Sequence, residues 1–159
     1  MRIYTIGHSN HPLDFFLSLL EKFSVEAVAD VRSHPFSKFV PHFNRENLKE
    51  ALQRRGIEYI WMGRELGGKF TLGKHRELIL PDGKIDWDRV RRADFFLRGI
   101  EKLLGLAREK TVAVMCAEEN PARCHRGFLI TPALLERGVQ VFHIRRDGRA
   151  HPAQRDLFT

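Results

Sequence analysis

The run Cys116-Ala-Glu-Glu-Asn-Pro-Ala-Arg-Cys-His-Arg126 gathers both cysteines of the chain with two carboxylates, a histidine and two arginines. It follows an apolar, β-like stretch, Thr111-Val-Ala-Val-Met115, and Arg123, His125 and Arg126 stand where a helix should open. At such a junction backbone N–H groups lack helical partners and the positive end of the helix dipole points outward. An anion is favoured there, and a thiol is drawn toward its thiolate. Basic side chains are disfavoured at a helix amino end unless a bound anion offsets them, so Arg123 and Arg126 read as anion ligands. The plainer reading makes Cys116 a small core hydrophobe and the arginines surface decoration.

Four chemistries suit these residue types. A thiolate nucleophile in a phosphate cradle, as in cysteine phosphatases and rhodaneses, fits the strand-end thiol and the arginine clamp. Its spacing does not fit: six residues lie between Cys116 and Arg123, one more than in the phosphatase loop, and the stretch holds no glycine. Glu118 and Glu119 would also repel phosphate. A metal site from Cys116, Cys124, His125 and His8 or His34 matches no zinc-ribbon or finger spacing. A redox pair, Cys116 with Cys124, lacks the Cys-x-x-Cys pattern. Acid–base work by Glu118 or Asp30 with His8, arginines holding a nucleotide or sugar phosphate, has the widest support and the least specificity.

Placing these residues falls to an alternation of strands and helices. Arg2-Ile-Tyr-Thr-Ile6 predicts a strand that stops at Gly7. Asn10 and Pro12 open a helix whose apolar positions run from Leu13 to Phe23. Val25 to Val31 is apolar enough for a strand covered on both faces. Ser33 to Asn44 is a loop in which Phe36, Phe39 and Phe43 either stack on bases beside His34 and Lys38 or fold inward as anchors. Asn44 caps a helix to Arg55 that Gly56 ends, and Ile57 to Trp61 is a third strand. Gly63 to Lys84 reads as a structureless lid, or as a track for a nucleic-acid backbone. One long helix from Asp86 to Glu109, a fourth strand, the cysteine helix and a fifth strand, Val139 to Ile144, complete the pattern. The tail from Arg145, with a turn at Asp147-Gly148, covers a sheet edge or frays.

This alternation predicts a single doubly wound, Rossmann-like α/β domain, with a mostly parallel five-stranded sheet and helices on both faces. Strand order 3-2-1-4-5 is the first expectation, with the ligand beyond the carboxyl ends where the order reverses. Strands one, two and four lead into Gly7-His8-Ser9-Asn10, Asp30-Val-Arg-Ser-His34 and Cys116-Ala-Glu118. The expected order sets His8 against Cys116 around one hollow, with Asp30 and Arg32 a strand away. Each residue also has a duller role: His8 as a turn hydrogen bonder, Asp30 with Arg32 as a structural ion pair.

A chain of 159 residues, 43% hydrophobic and 30% charged, reads as one globular domain. Its net charge of +7 implies an anionic partner or a merely solvated surface. No apolar run suits a signal peptide or membrane span, and two cysteines make no disulfide framework, so a cytoplasmic protein is expected. Abundant Arg, Lys and Glu hint at a thermophile, where an intracellular disulfide is less improbable. An apolar side chain such as Phe70 would suit a dimer contact, but neither cofactor nor oligomeric state can be read.

Several blocks together resemble the family catalogued as DUF488, small prokaryotic proteins with no assigned activity. They are Thr5-Ile-Gly-His-Ser-Asn10, Asp30-Val-Arg-Ser-His-Pro-Phe-Ser37 with Phe43-Asn44, Leu66-Gly-Gly68, Cys116-Ala-Glu118, Pro121, Cys124-His-Arg126, His143-Ile144 and Asp147-Gly148. The resemblance implies an α/β fold and a site gathered from these blocks, and it supplies no reaction. The resulting expectation is an enzyme acting on a phosphate-bearing substrate, a nucleotide or nucleic-acid component. In it Arg32, Ser9, Asn10, Arg123, His125 and Arg126 bind the anion. His8 with Asp30 or Glu118 handles protons, and Cys116 or Cys124 is nucleophile or lining. The alternatives are a non-catalytic nucleic-acid-binding module and a metal-binding protein.

Overall fold

The computed structural model describes residues 1–69 and 75–153. Residues 70–74, Phe70 among them, and 154–159 at the end of the tail lie outside the described residues. In chain order the elements are β1 (Arg2–Gly7), α1 (Leu13–Lys22), β2 (Ala27–Asp30), α2 (Arg45–Arg54), β3 (Glu58–Trp61) and α3 (Gly63–Leu66). There follow α4 (Trp87–Arg92), α5 (Asp94–Glu109), β4 (Val112–Cys116), α6 (Thr131–Glu136), β5 (Gln140–Ile144) and β6 (Ala150–Pro152).

The α/β sheet with helices on both faces is present, with a sixth strand. Its order is β3-β2-β4-β1-β5-β6, so the expected 3-2-1-4-5 is corrected. β4, buried at every residue, enters between β2 and β1, where an all-apolar strand loses most water. The first five strands are parallel; the tail folds back as β6, antiparallel to β5, and covers that edge.

Period-two alternation divides each strand between two cores. Ile3, Ala29, Val114 and Cys116 face α5, α6 and the segment before α6. Tyr4, Ile6, Val28 and Met115 face Phe16 and Leu20 of α1 and Leu48 and Leu52 of α2. Each fully buried Leu or Phe contributes about 1.5–3 kcal/mol, which fixes which face every strand-end side chain occupies.

Three local expectations are corrected. The Gly63–Lys84 connection is not structureless: α3 follows β3 at once, and Ile79 bridges Ile85 around the Pro81-Asp-Gly83 turn. The long helix is two, broken where Ala93 is extended at φ −71°, ψ 140° and Asp94 supplies an acid to the new first turn. The cysteine helix is no regular α-helix at its start. A tight turn at Pro121–Arg123, with the Asn120 side chain accepting from Ala122 N–H, precedes an extended Cys124. A wide π turn, Arg126–Ile130, then merges into α6. The aromatic loop divides: Phe43 is fully buried, while Phe36 and Phe39 are 75% and 86% exposed.

Candidate functional site

The carboxyl edge of the sheet carries two hollows, one on each face. Parallel register sets Gly7 beside Cys116 and Asp30 beside Met115. His8 N–H donates to the Cys116 carbonyl at 3.0 Å, and Ser9 N–H to that of Ala117 at 2.8 Å, stitching β1 to the cysteine loop. That loop folds tightly over the end of β1. A Cβ at Gly7 would lie 1.8 Å from the Glu118 carbonyl oxygen. Gly7→Ala should therefore push the loop off the sheet and cost about 1–3 kcal/mol, read as a lower urea midpoint; an unchanged midpoint would contradict this packing.

On the α5–α6 face a cavity of about 300 Å³ is lined by Arg32, Lys69, Trp87, Glu118, Arg123 and Phe128, with Cys116, Cys124 and His125 in its wall. The sulfurs of Cys116 and Cys124 are joined in a disulfide across eight residues. Beneath them lies Arg126, fully buried. Its Nε donates to Thr5 Oγ1 at 3.1 Å, its Nη1 to Cys116 Sγ at 3.0 Å and the Glu118 carbonyl at 2.6 Å, and its Nη2 to the Glu119 carbonyl at 3.0 Å. Burial lowers its pKa to about 10, so it is a cation at neutral pH. Thr5 Oγ1, which accepts from Arg126, also shares a hydrogen bond with His143 Nδ1, 2.6 Å away. Burial lowers the His143 pKa to about 4.

The second hollow, about 310 Å³, lies on the α1–α2 face and is lined by His8, Ser9, Asn10, Phe36, Ser37 and Val40. The His8 ring stacks on Phe43 with centroids 4.6 Å apart. Its Nδ1–H donates to the Ser9 carbonyl at 2.8 Å, and its Nε2 accepts from Arg32 Nη1 at 3.2 Å. Burial lowers its pKa to about 4. Asp30, fully buried, receives Arg32 Nε at 2.9 Å, Arg32 Nη2 at 2.8 Å and the Tyr59 hydroxyl at 2.5 Å. Burial and the Asp30 carboxylate raise the Tyr59 pKa well above its ordinary value.

The single hollow expected from His8, Asp30 and Cys116 is thus corrected. The three meet at one rim, but His8 and Asp30 belong to the α1–α2 face and Cys116 to the other. Arg32, His34 and Ala117 are shared by both hollows and link them. Of the five N–H bonds of the Arg32 guanidinium, three are spent on Asp30 and His8, leaving two for a ligand. Arg123 and His125 line the cysteine cavity, and Ser9 and Asn10 the other. Arg126, expected to hold substrate, spends its donors on the protein. The two glutamates part: Glu118 lines the cavity, whereas Glu119 turns inward and accepts Nε and Nη2 of Arg145, each at 2.9 Å. Those bonds hold the Glu119 carboxyl down at about 2 and cancel its repulsion of an anion.

Thr5, Tyr59, Lys69, Trp87, Phe128 and Arg145 were not singled out from sequence. Thr5 stands inside the first motif block and Lys69 inside the stretch read as a lid; the other four had no signal. Among the described residues no three His, Cys, Asp or Glu side chains come together as a metal-ligand set. No helix among them is long and apolar enough to cross a membrane.

A family model described as a domain of unknown function, DUF488, matches residues 12–131. No curated protein matches the chain, and no solved structure does.

Proposed function

This chain belongs to the DUF488 family, and from that premise we propose that it is an enzyme acting on a phosphate-bearing substrate, a nucleotide or a nucleic-acid component. One observation carries the reading: Arg32, Lys69 and Arg123 converge with Trp87 and Phe128 on a single cavity at the carboxyl ends of β2 and β4. Three cations suit a phosphate, and the two aromatic rings, edge to face at 5.0 Å, offer a base an apolar wall. A volume of about 300 Å³ is at the lower end for small-molecule sites and suits a mononucleotide.

Roles follow from what each side chain has left to give. Asp30 and His8 are positioning residues that aim Arg32, since both nitrogens of His8 are occupied. Glu118 supplies the cavity with a carboxylate for proton transfer. A nucleoside 5′-monophosphate should bind at least about tenfold more tightly than its nucleoside, by calorimetry at low salt. Arg123→Ala and Lys69→Ala should each erase much of that difference. Equal affinity for the two ligands, or variants indistinguishable from the parent, would reject the reading. Turnover of the bound nucleotide that disappears in Glu118→Gln separates an enzyme from a binder.

The exposed rings of Phe36 and Phe39, flanking Lys38 beside the second hollow, favour a second reading as a single-strand nucleic-acid module. It requires affinity that falls steeply with salt and is lost in Phe36→Ala with Phe39→Ala, with Glu118→Gln unaffected.

A further inference from the structure

We propose that Cys116 and Cys124 form a dithiol/disulfide redox centre that exchanges electrons with small anionic thiols entering the cysteine cavity. This goes beyond the nucleotide reading and does not depend on it. Both sulfurs line the cavity and are otherwise enclosed, at 2% and 7% exposure, so a partner thiol reaches them through that opening.

The two sulfurs have different neighbours, which assigns them different roles. Arg126 Nη1 donates to Cys116 Sγ at 3.0 Å, and the guanidinium is pinned by Thr5 and two carbonyls that no redox change alters. A fixed cation at that distance stabilises Cys116 as the departing thiolate. Cys124 Sγ lies 3.7 Å from His125 Nδ1. The His125 ring is held by hydrogen bonds to two backbone carbonyls, Val31 (from Nε2, 3.0 Å) and Leu66. Burial lowers the His125 pKa, which favours the neutral ring. His125 is thus the group placed to exchange a proton with Cys124. Arg32, Lys69 and Arg123 supply the charge that attracts a carboxylate-bearing thiol.

The exchange balances in two displacements. An incoming thiolate attacks Cys124 Sγ; a bond forms between them, the Cys116–Cys124 bond breaks, and Cys116 leaves as the thiolate held by Arg126. A second thiolate attacks the substrate sulfur of the mixed disulfide, releasing Cys124 and a substrate disulfide. Two thiols are oxidised and the protein disulfide is reduced by two electrons; one thiol proton ends on Cys124 and the other passes to solvent, since Cys116 stays a thiolate beside Arg126. The same steps run backward oxidise the dithiol.

The test uses glutathione as the anionic thiol and cysteamine as a cationic one. Equilibration of the intact protein in graded ratios of reduced to oxidised glutathione, with free thiols counted by maleimide mass shift, should give one reversible transition of two thiols. Acid-quenched intermediates should carry glutathione on Cys124. After correction for thiolate fraction, glutathione should react about tenfold faster than cysteamine, and Lys69→Ala with Arg123→Ala should remove the preference. Two thiols that stay free under oxidised glutathione, adducts confined to Cys116, or no preference for the anionic thiol would each overturn the proposal. Nucleotide affinity is read by calorimetry on the same protein, so either reading can fail while the other stands.

Discussion

Arg126→Leu should lower the unfolding free energy by about 3–5 kcal/mol at pH 7. The guanidinium is fully enclosed and anchors the Cys116–Glu119 loop through two carbonyls, while tying that loop to Thr5 of β1. Leucine has a shorter reach and no donors, so the Glu118 and Glu119 carbonyls lose the guanidinium that bonds them, and the Thr5 hydroxyl keeps only His143. Each buried polar group left unpaired costs about 1–3 kcal/mol. Arg126→Lys keeps the charge but offers one centre where Arg126 uses three nitrogens, so it should recover part of the loss. Urea unfolding with the slope held constant reads both variants. A loss below about 1 kcal/mol for Arg126→Leu would mean that the loop holds its shape without the cation.

Acid should destabilise the fold well above the range where carboxylates titrate. Unfolded histidine takes up a proton near 6.5; folded His8 and His143 do so only at about 4, both because burial disfavours the charged ring. Between those values the unfolded chain binds more protons, so stability is complete above pH 6.5 and falls as the pH drops toward 4. The shift corresponds to about 3 kcal/mol for buried His8 and less for half-buried His143. Protonating His8 also places a cation against Arg32, which now donates to its Nε2. Glu119, held at about 2 by Arg145, extends the decline from the ordinary carboxylate range down to that value. Urea midpoints at pH 7, 6, 5 and 4 should fall in order, and His8→Gln should flatten the upper part of the series. A midpoint constant from pH 7 to 4 would contradict the neutral assignment of both rings.

Much of the architecture was legible because it depends on local pattern. The apolar runs at Arg2–Ile6, Val25–Val31 and Thr111–Met115 became strands, and the Leu13–Phe23 periodicity became α1. Gly56, at φ +73°, ended α2 as its position suggested. The break at Ala93 was hidden because the apolar period runs through it unchanged, and only the backbone departs from helix there. The aromatic loop was legible as a group but not by member. Phe43 packs against Phe16 in the core, and nothing in local sequence separates it from the exposed Phe36 and Phe39.

The sequence by itself determined that chemistry-bearing residues gather at the ends of β1, β2 and β4, and that both cysteines stand at one of those ends. Only the tertiary structure decided which of them meet. Alternate side chains of a strand point to opposite faces, so one residue of register between β1 and β4 settles whether His8 or Thr5 shares a face with Cys116. Pairing Gly7 with Cys116 gives that place to Thr5, and with it to Arg126, and sends His8 to Arg32 and Asp30 on the other side. Register comes from burying two apolar cores at once, a global condition that no local stretch of residues contains.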